Sequence, residues 1–224
     1  DGYIARVLNG SAKSGASTYG KAIAAVDETI RKYTENYINA PFYTNHDLAR
    51  GAGYYTGEYA ECKVKMGQAM NLLMSGTAFL YYGEEIGMKG AGKDENKRLG
   101  MYWSEDPDTE GMCDGPKDAD SVKMSYDSLE DQQKDSCSIY HFVKQAIKIR
   151  NIYPEIARGT VTFCEELSDD RFVGSPEQYF SGKQINKRHR KHISEDCYDV
   201  GRHIRQSLGY GIWNRSSKFD QRNH

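Results

Sequence analysis

No two cysteines of this 224-residue chain stand at a recognisable pairing or metal-binding interval. Cys62, Cys113, Cys137, Cys164 and Cys197 are odd in number and widely spaced, with no C-x-x-C and no Cys/His zinc pattern. They read as mostly reduced, and no disulfide framework is implied. No apolar run nears the ~18 residues of a membrane span, so no membrane partner is expected. A secretory signal is also lacking, although a chain without its N-terminal half would not show one, and localisation stays open. The net charge of −2 gives no global argument for nucleic acid. A hydrophobic content of 38% is low for a well-buried enzyme, and no internal repeat is present.

What is there is uneven. Residues 1–174 carry 20 Lys+Arg against 27 Asp+Glu, whereas residues 175–224 carry 10 against 5 and hold four of the six histidines. Seventeen tyrosines suit sugar binding, where a ring stacks on a pyranose and the hydroxyl hydrogen-bonds. They equally suit packing at the edge of a core.

Apolar periodicity predicts three helices. The first spans about 18–38, with Ala22, Ile23, Val26, Ile30, Tyr33 and Tyr37 at helical spacing and Ser17 or Thr18 as N-cap. The second spans 58–75, with Cys62, Met66, Ala69, Met70 and Leu73 on one face and Gly76 as the C′ stop. The third runs from Ser138 to about Ile152, with Ile139, Phe142, Val143, Ala146 and Ile147 inward and Pro154 closing it. Pro41–Asn45 and Thr77–Tyr82 are β-prone, residues 50–57 read as a loop, and residues 83–137 as a long polar loop. Thr160–Cys164 alternates like the first strand of a new sheet. Helices alternating with strands predict a parallel α/β arrangement.

Two segments carry the chemistry. Phe42-Tyr43-Thr44-Asn45-His46-Asp47 sets three polar side chains at the end of one β-prone run. Thr77-Ala78-Phe79-Leu80-Tyr81-Tyr82, followed by Gly83-Glu84-Glu85-Ile86-Gly87-Met88, repeats that layout. Polar groups at the C-terminal ends of successive buried strands are how a (β/α)8 barrel builds an active site. Together these segments resemble the seventh and eighth barrel strands of the α-amylase family, glycoside hydrolase family 13. Arg98-Leu99-Gly100-Met101-Tyr102-Trp103 resembles that family's Arg-Thr-Pro-Met-x-Trp segment, with Gly100 where proline is common. Ser138–Pro154 looks like the eighth barrel helix, and the resemblance covers roughly residues 1–173.

The resemblance implies the last part of a (β/α)8 TIM barrel over residues 1–154 and the start of a C-terminal β-domain over 155–174. It implies a retaining glycoside hydrolase of carbohydrate metabolism, acting on an α-glucan such as starch or on malto-oligosaccharides. Such enzymes flank the scissile bond with a nucleophile and an acid/base carboxyl. In this family a third carboxylate grips sugar hydroxyls and stabilises the transition state, and Asp47 stands at its position. His46 stands at the family's sugar-binding histidine, and Asn45, Arg98 and Trp103 are the further substrate-binding candidates. Residue by residue, other roles stay open. Glu84 and Glu85 suit either hydrogen bonding at the barrel mouth or a solvated loop. Arg98 suits either orienting a carboxylate such as Asp94 or a plain surface charge. The acids from Glu105 to Asp120 are oxygen ligands of the type Ca2+ prefers, but their spacing fits no EF-hand and such acidic loops are usually just solvated. No cofactor or metal is therefore assigned.

The family's nucleophile and acid/base have no counterpart here. Val7-Leu8-Asn9-Gly10 resembles the residues after the acid/base in some members, which would set Arg6 at the glutamate's position. The 41 positions from Arg6 to Asp47 are too few for the two βαβ units required, at ~30 residues each. Both carboxylates are expected upstream of residue 1, with little or no hydrolysis by the chain alone. After Val173 no strand alternation continues. The loss of pattern and the change of charge lead us to expect a slipped reading frame near residue 174, with 175–224 a non-native or disordered basic tail. The run Lys187-Arg188-His189-Arg190-Lys191-His192 could touch an acidic partner, but no nucleic-acid partner is expected. A non-catalytic carbohydrate-binding or interaction module is the competing reading.

Overall fold

The computed structural model describes residues 3–11, 15–159 and 161, and for residues 15–18 the backbone alone. Its helices are α1 (Tyr3–Leu8), α2 (Gly15–Arg31), α3 (Ala60–Leu72), α4 (Leu129–Gln132), α5 (Ile139–Ile152) and α6 (Pro154–Arg158). Short 3₁₀ turns form at Gly51–Tyr54, Glu84–Ile86 and Glu95–Arg98.

The helix predicted over Ser138–Ile152 forms as α5. The Ser138 hydroxyl accepts the His141 amide at 3.3 Å, satisfying one of the free N–H groups that open a helix. Ile139, Phe142, Val143, Ala146 and Ile149 are buried along one stripe. Pro154 ends α5 and also opens α6 at a position where its missing N–H costs nothing.

α3 packs against α5, but not through the face expected. Its buried residues are Val64, Lys65, Gly67, Gln68, Ala69, Asn71 and Leu72. Cys62, Met66, Met70 and Leu73 are only partly covered. Polar side chains with partners inside the fold turn the helix away from its most apolar stripe: Asn71 donates to the Phe79 carbonyl at 2.9 Å, and Gln68 donates to Glu84. α3 ends at Leu72, so Gly76 is not its C′ residue. Arg150 takes the last carbonyl of the helix, Leu72, at 2.6 Å, and also donates to the carbonyls of Met74 at 2.7 Å and Gly76 in the segment that follows.

α2 starts at Gly15, which puts Ser17 and Thr18 inside its first turn rather than at the cap, and it stops at Arg31 rather than near residue 38. Its predicted apolar stripe is only partly covered: Ile23, Ile30 and Tyr37 are half-buried, Val26 is 44% exposed and Tyr33, beyond the helix, 86%. With Pro41, Phe42, Met70 and Met74, the Ala22, Ile23 and Val26 members of that stripe line an open groove of about 210 Å³.

The two β-prone runs lie side by side and parallel, joined at the single bridge Phe42–Phe79. Among the described residues no strand or longer ladder forms, so the sheet of the expected partial barrel does not show there; the described residues give helices and one parallel contact. A parallel strand needs a partner on each side and a cover on each face, and here Phe42 and Phe79 remain 53% and 52% exposed. Val7-Leu8-Asn9-Gly10 is the end of α1 and the turn after it, not a strand end. The strand expected at Thr160–Cys164, all of it but Val161, and the tail from 175 lie outside the described residues.

The core joins Ala5, Ala52, Tyr55, Val64, Leu72, Ile139, Val143 and Ala146. The polar segment 83–137 packs onto it through Gln132, whose amide nitrogen donates to the carbonyls of Ile86 at 2.8 Å and Asp127 at 2.7 Å while its oxygen accepts the Tyr140 amide at 3.1 Å. Ser128 caps α4, and Tyr126 lies against the core with burial raising its phenol to about 12.

Candidate active-site turn

From Thr44 the chain leaves its parallel neighbour and turns back. Asn45 sets the turn: its side-chain oxygen accepts the amides of Asp47 at 2.9 Å and Leu48 at 3.0 Å, an Asx turn that asparagine forms more readily than most residues. The side chains of His46 and Asp47 then stand in solvent, 61% and 65% exposed, with Nε2 3.4 Å from Oδ2. Arg98 reaches the other Asp47 oxygen at 3.4 Å and donates to the Asp94 carbonyl at 2.8 Å. Lys97 bonds the Asp94 carboxylate at 2.9 Å, and with Arg98 and His46 nearby it holds that group below the usual carboxylate range. Four of the five residues singled out from the sequence, Asn45, His46, Asp47 and Arg98, thus stand together. Trp103 is 42% exposed, its carbonyl accepts the Glu130 amide at 3.0 Å, and no hydrogen bond joins it to the turn among the described residues.

Beneath the exposed groups the turn rests on buried polar ones. Glu84 is 1% exposed. Its Oε1 accepts both the Thr44 hydroxyl at 2.8 Å and the Gly51 amide at 2.7 Å, and its Oε2 accepts the Gln68 amide at 2.5 Å. Gly83, at φ +84°, turns the backbone so that Glu84 points inward; a Cβ there would strike Met88. Gly51 has to be bare, since a Cβ would come within 2.8 Å of the Tyr43 ring and 3.0 Å of Glu84. Tyr43 and Tyr55 share a hydroxyl contact of 2.5 Å beside this carboxyl, and burial pushes both phenols up. Burial also raises Glu84 to about 7, against the pull of the Gly51 and Thr44 hydrogen bonds and of Arg50. Glu85 is pushed up for the same first reason.

Arg50 closes the turn and is fully buried. Its amide donates to the Gly90 carbonyl at 3.1 Å, Nε to Tyr82 at 3.0 Å and Nη1 to Lys89 at 3.2 Å, and the guanidinium lies 5.0 Å and 4.6 Å from the ring centres of Tyr81 and Tyr82. Those tyrosines donate to the carbonyls of Lys97 at 3.0 Å and Leu99 at 2.7 Å, which anchors the segment bearing Arg98.

Arg50, Gln68 and the lower role of Thr44 were missed in the sequence. Arginine is almost never fully buried, so its composition signal pointed outward. The one usable hint was Gly51-Ala52-Gly53 beside it, small residues where backbones approach closely. In the acidic loop Asp120 pairs with Lys93 at 2.5 Å and accepts from Asn96 at 2.8 Å. No group of three or more His, Cys, Asp or Glu suited to a metal occurs among the described residues.

Residues 9–159 match the family profile described as the catalytic domain of alpha amylase. The chain is 32% identical over 146 residues to the alpha-amylase SusG of Bacteroides thetaiotaomicron, covering 64% of this chain and 20% of that one. It is 29% identical over 136 residues to a 4-alpha-glucanotransferase of Thermotoga neapolitana, covering 59% and 30%. Eubacterium rectale Amy13B superposes with a TM-score of 0.74 at 62% identity, over 76% of this chain and 33% of that structure. The chain therefore spans a third or less of each of these proteins. Through the catalytic-domain match over residues 9–159 it belongs to the alpha-amylase family.

Proposed function

We propose that the turn from Asn45 to Arg50 is the sugar-gripping part of an α-amylase-type retaining glycoside hydrolase acting on α-glucans or malto-oligosaccharides. The observation that carries this reading is the pairing of solvent-facing His46 and Asp47 with a buried polar base. Two exposed groups held on a fixed turn lose little freedom when a sugar binds, and such preorganisation makes a hydrogen bond count.

In this chemistry the sugar ring flattens towards an oxocarbenium ion, and hydroxyl contacts that tighten at that stage lower the barrier. Asp47 accepts hydrogen bonds from two neighbouring sugar hydroxyls, and His46 donates one to the same ring. Arg98, 3.4 Å from one Asp47 oxygen, keeps that carboxylate turned to the sugar. Asn45 fixes the turn, and Trp103 offers an exposed ring for stacking. The names of the relatives, an alpha-amylase and a 4-alpha-glucanotransferase, support an α-linked glucan as the substrate class and leave water or a second sugar as acceptor. No residue of this chain is assigned as nucleophile or acid/base, so by itself it binds without cleaving. Residues 155–174 are proposed to begin a separate β-domain.

The test is calorimetric titration of the purified chain with maltohexaose, alongside an assay for released reducing sugar. Wild type binds, Asp47→Ala binds at least about tenfold more weakly, a loss of 1.4 kcal/mol, and neither releases sugar. Cleavage abolished by Asp47→Ala would overturn the inactivity of the chain. Binding indifferent to Asp47 would favour a non-catalytic carbohydrate-binding module instead.

A further inference from the structure

The geometry points to Glu84 as the positioning residue of the sugar-contacting turn, a staple across its base that sets where His46 and Asp47 stand. The inference rests on the proposed sugar-gripping role of that turn. Thr44 and Gly51 are the residues immediately flanking Asn45–Arg50, and one carboxylate oxygen, Oε1, accepts from both, at 2.8 Å and 2.7 Å. A single atom thus closes a loop of six residues, and the two donors come from opposite ends of it. The second oxygen is held by Gln68 of α3 at 2.5 Å, so the staple is fixed to a helix and not to another loop. Left-handed Gly83 on one side and bare Gly51 on the other make the approach sterically feasible. Glu84 touches no solvent-facing group itself, so it acts through the turn and not on the substrate.

Ordinary structural roles look different. A carboxyl needed only for packing would be replaceable by any side chain of its volume. This one requires an acceptor at Oε1. The surrounding groups also show which replacement should succeed. Gln68 Oε1 is buried without a hydrogen-bond partner among the described residues. In Glu84→Gln the new amide nitrogen can be met by rotating the Gln68 amide, which turns that oxygen towards it, while the acceptor at Oε1 is kept. Glu84→Ala removes the acceptor and leaves three donors facing a void.

Amide hydrogen exchange of the full chain, read residue by residue, tests the staple without depending on sugar. In Glu84→Ala the amides of Leu48, Arg50 and Gly51 should exchange about tenfold faster or more, while α5 keeps its protection. Glu84→Gln should restore the wild-type rates. Unchanged exchange at those three amides in Glu84→Ala, a uniform loss across α3 and α5, or a Glu84→Gln variant as fast as Glu84→Ala would overturn the proposal. Should Glu84→Ala fail to fold, Thr44→Val removes one arm only. Faster exchange confined to residues 45–51 then supports the staple, and no change overturns it. Maltohexaose titration of the same variants separates the two readings. If wild type binds no sugar, the functional reading falls while the exchange result still decides the staple. If wild type binds, affinity should fall in Glu84→Ala and return in Glu84→Gln.

Discussion

The α3–α5 pair and the Asn45–Arg50 turn are both anchored in the interior, by opposite chemistry. Val64, Leu72, Ile139, Val143 and Ala146 hold the helices together by area removed from water, an attraction that has no preferred direction and tolerates small shifts. The turn is held by Glu84 and Arg50 through bonds of 2.7–3.2 Å to named hydroxyls, amides and carbonyls. Hydrogen bonds of that kind are directional and costly when incomplete. The helices supply stability; the polar clamps fix where a few exposed atoms stand. The sugar contact proposed for the turn would need the second kind of anchor, mounted on the first.

Removing the apolar anchor should have the largest effect. Ile139→Ala cuts a side chain that is 1% exposed at the α3–α5 contact, at a cost of about 2–5 kcal/mol. Urea denaturation should show the loss, and a variant within experimental error of wild type would mean that this contact is not the main anchor.

The polar anchor should reveal itself through pH. Glu84 is raised from 4.5 to about 7, so the folded chain holds a proton that the unfolded chain has released. Its contribution is full below about 4.5 and is lost as pH rises through 7, on the order of 3 kcal/mol in all. Denaturation midpoints of wild type should therefore fall between pH 5 and pH 8 relative to those of Glu84→Gln. Parallel curves for the two proteins would show that the buried carboxyl does not titrate in this range.

Smaller effects sharpen the contrast. Ser138→Ala removes the cap of α5 and its 2.7 Å bond to the Gln132 carbonyl, costing about 0.5–2 kcal/mol, which a thermal melt would register. Arg98→Ala breaks an ion pair whose partners are 38% and 65% exposed, so stability should change by no more than about 1 kcal/mol. Maltohexaose affinity should nevertheless fall. Lost stability with unchanged affinity would place Arg98 on the scaffold side of the comparison.

The two anchors were unequally legible. α5 could be read almost to the residue, because a serine cap, a helical apolar stripe and a terminal proline all agree on it. α3 was legible as a helix but not in its facing, since Gln68 and Asn71 turn inward to partners at Glu84 and Phe79 that lie up to sixteen residues away. The predicted strands shrank to one parallel bridge because a sheet forms only with neighbours, which no local pattern supplies. Asn45, His46 and Asp47 were singled out through their place at the end of a β-prone run and Arg98 through its motif, and the fold brings the four together. Trp103 was found by the same motif, but it does not bond to the turn.

The sequence alone determined that three helices form, that α5 starts at Ser138 and stops before Pro154, and the family, because each depends on residues a few positions apart or on an ordered set of motifs. Tertiary structure decided that Glu84 and Arg50 are buried, that one carboxylate oxygen joins Thr44 to Gly51, and that Arg98 stands beside Asp47. Those outcomes depend on segments 33 to 51 positions apart being brought within hydrogen-bond reach, and only the packed helices beneath them can do that.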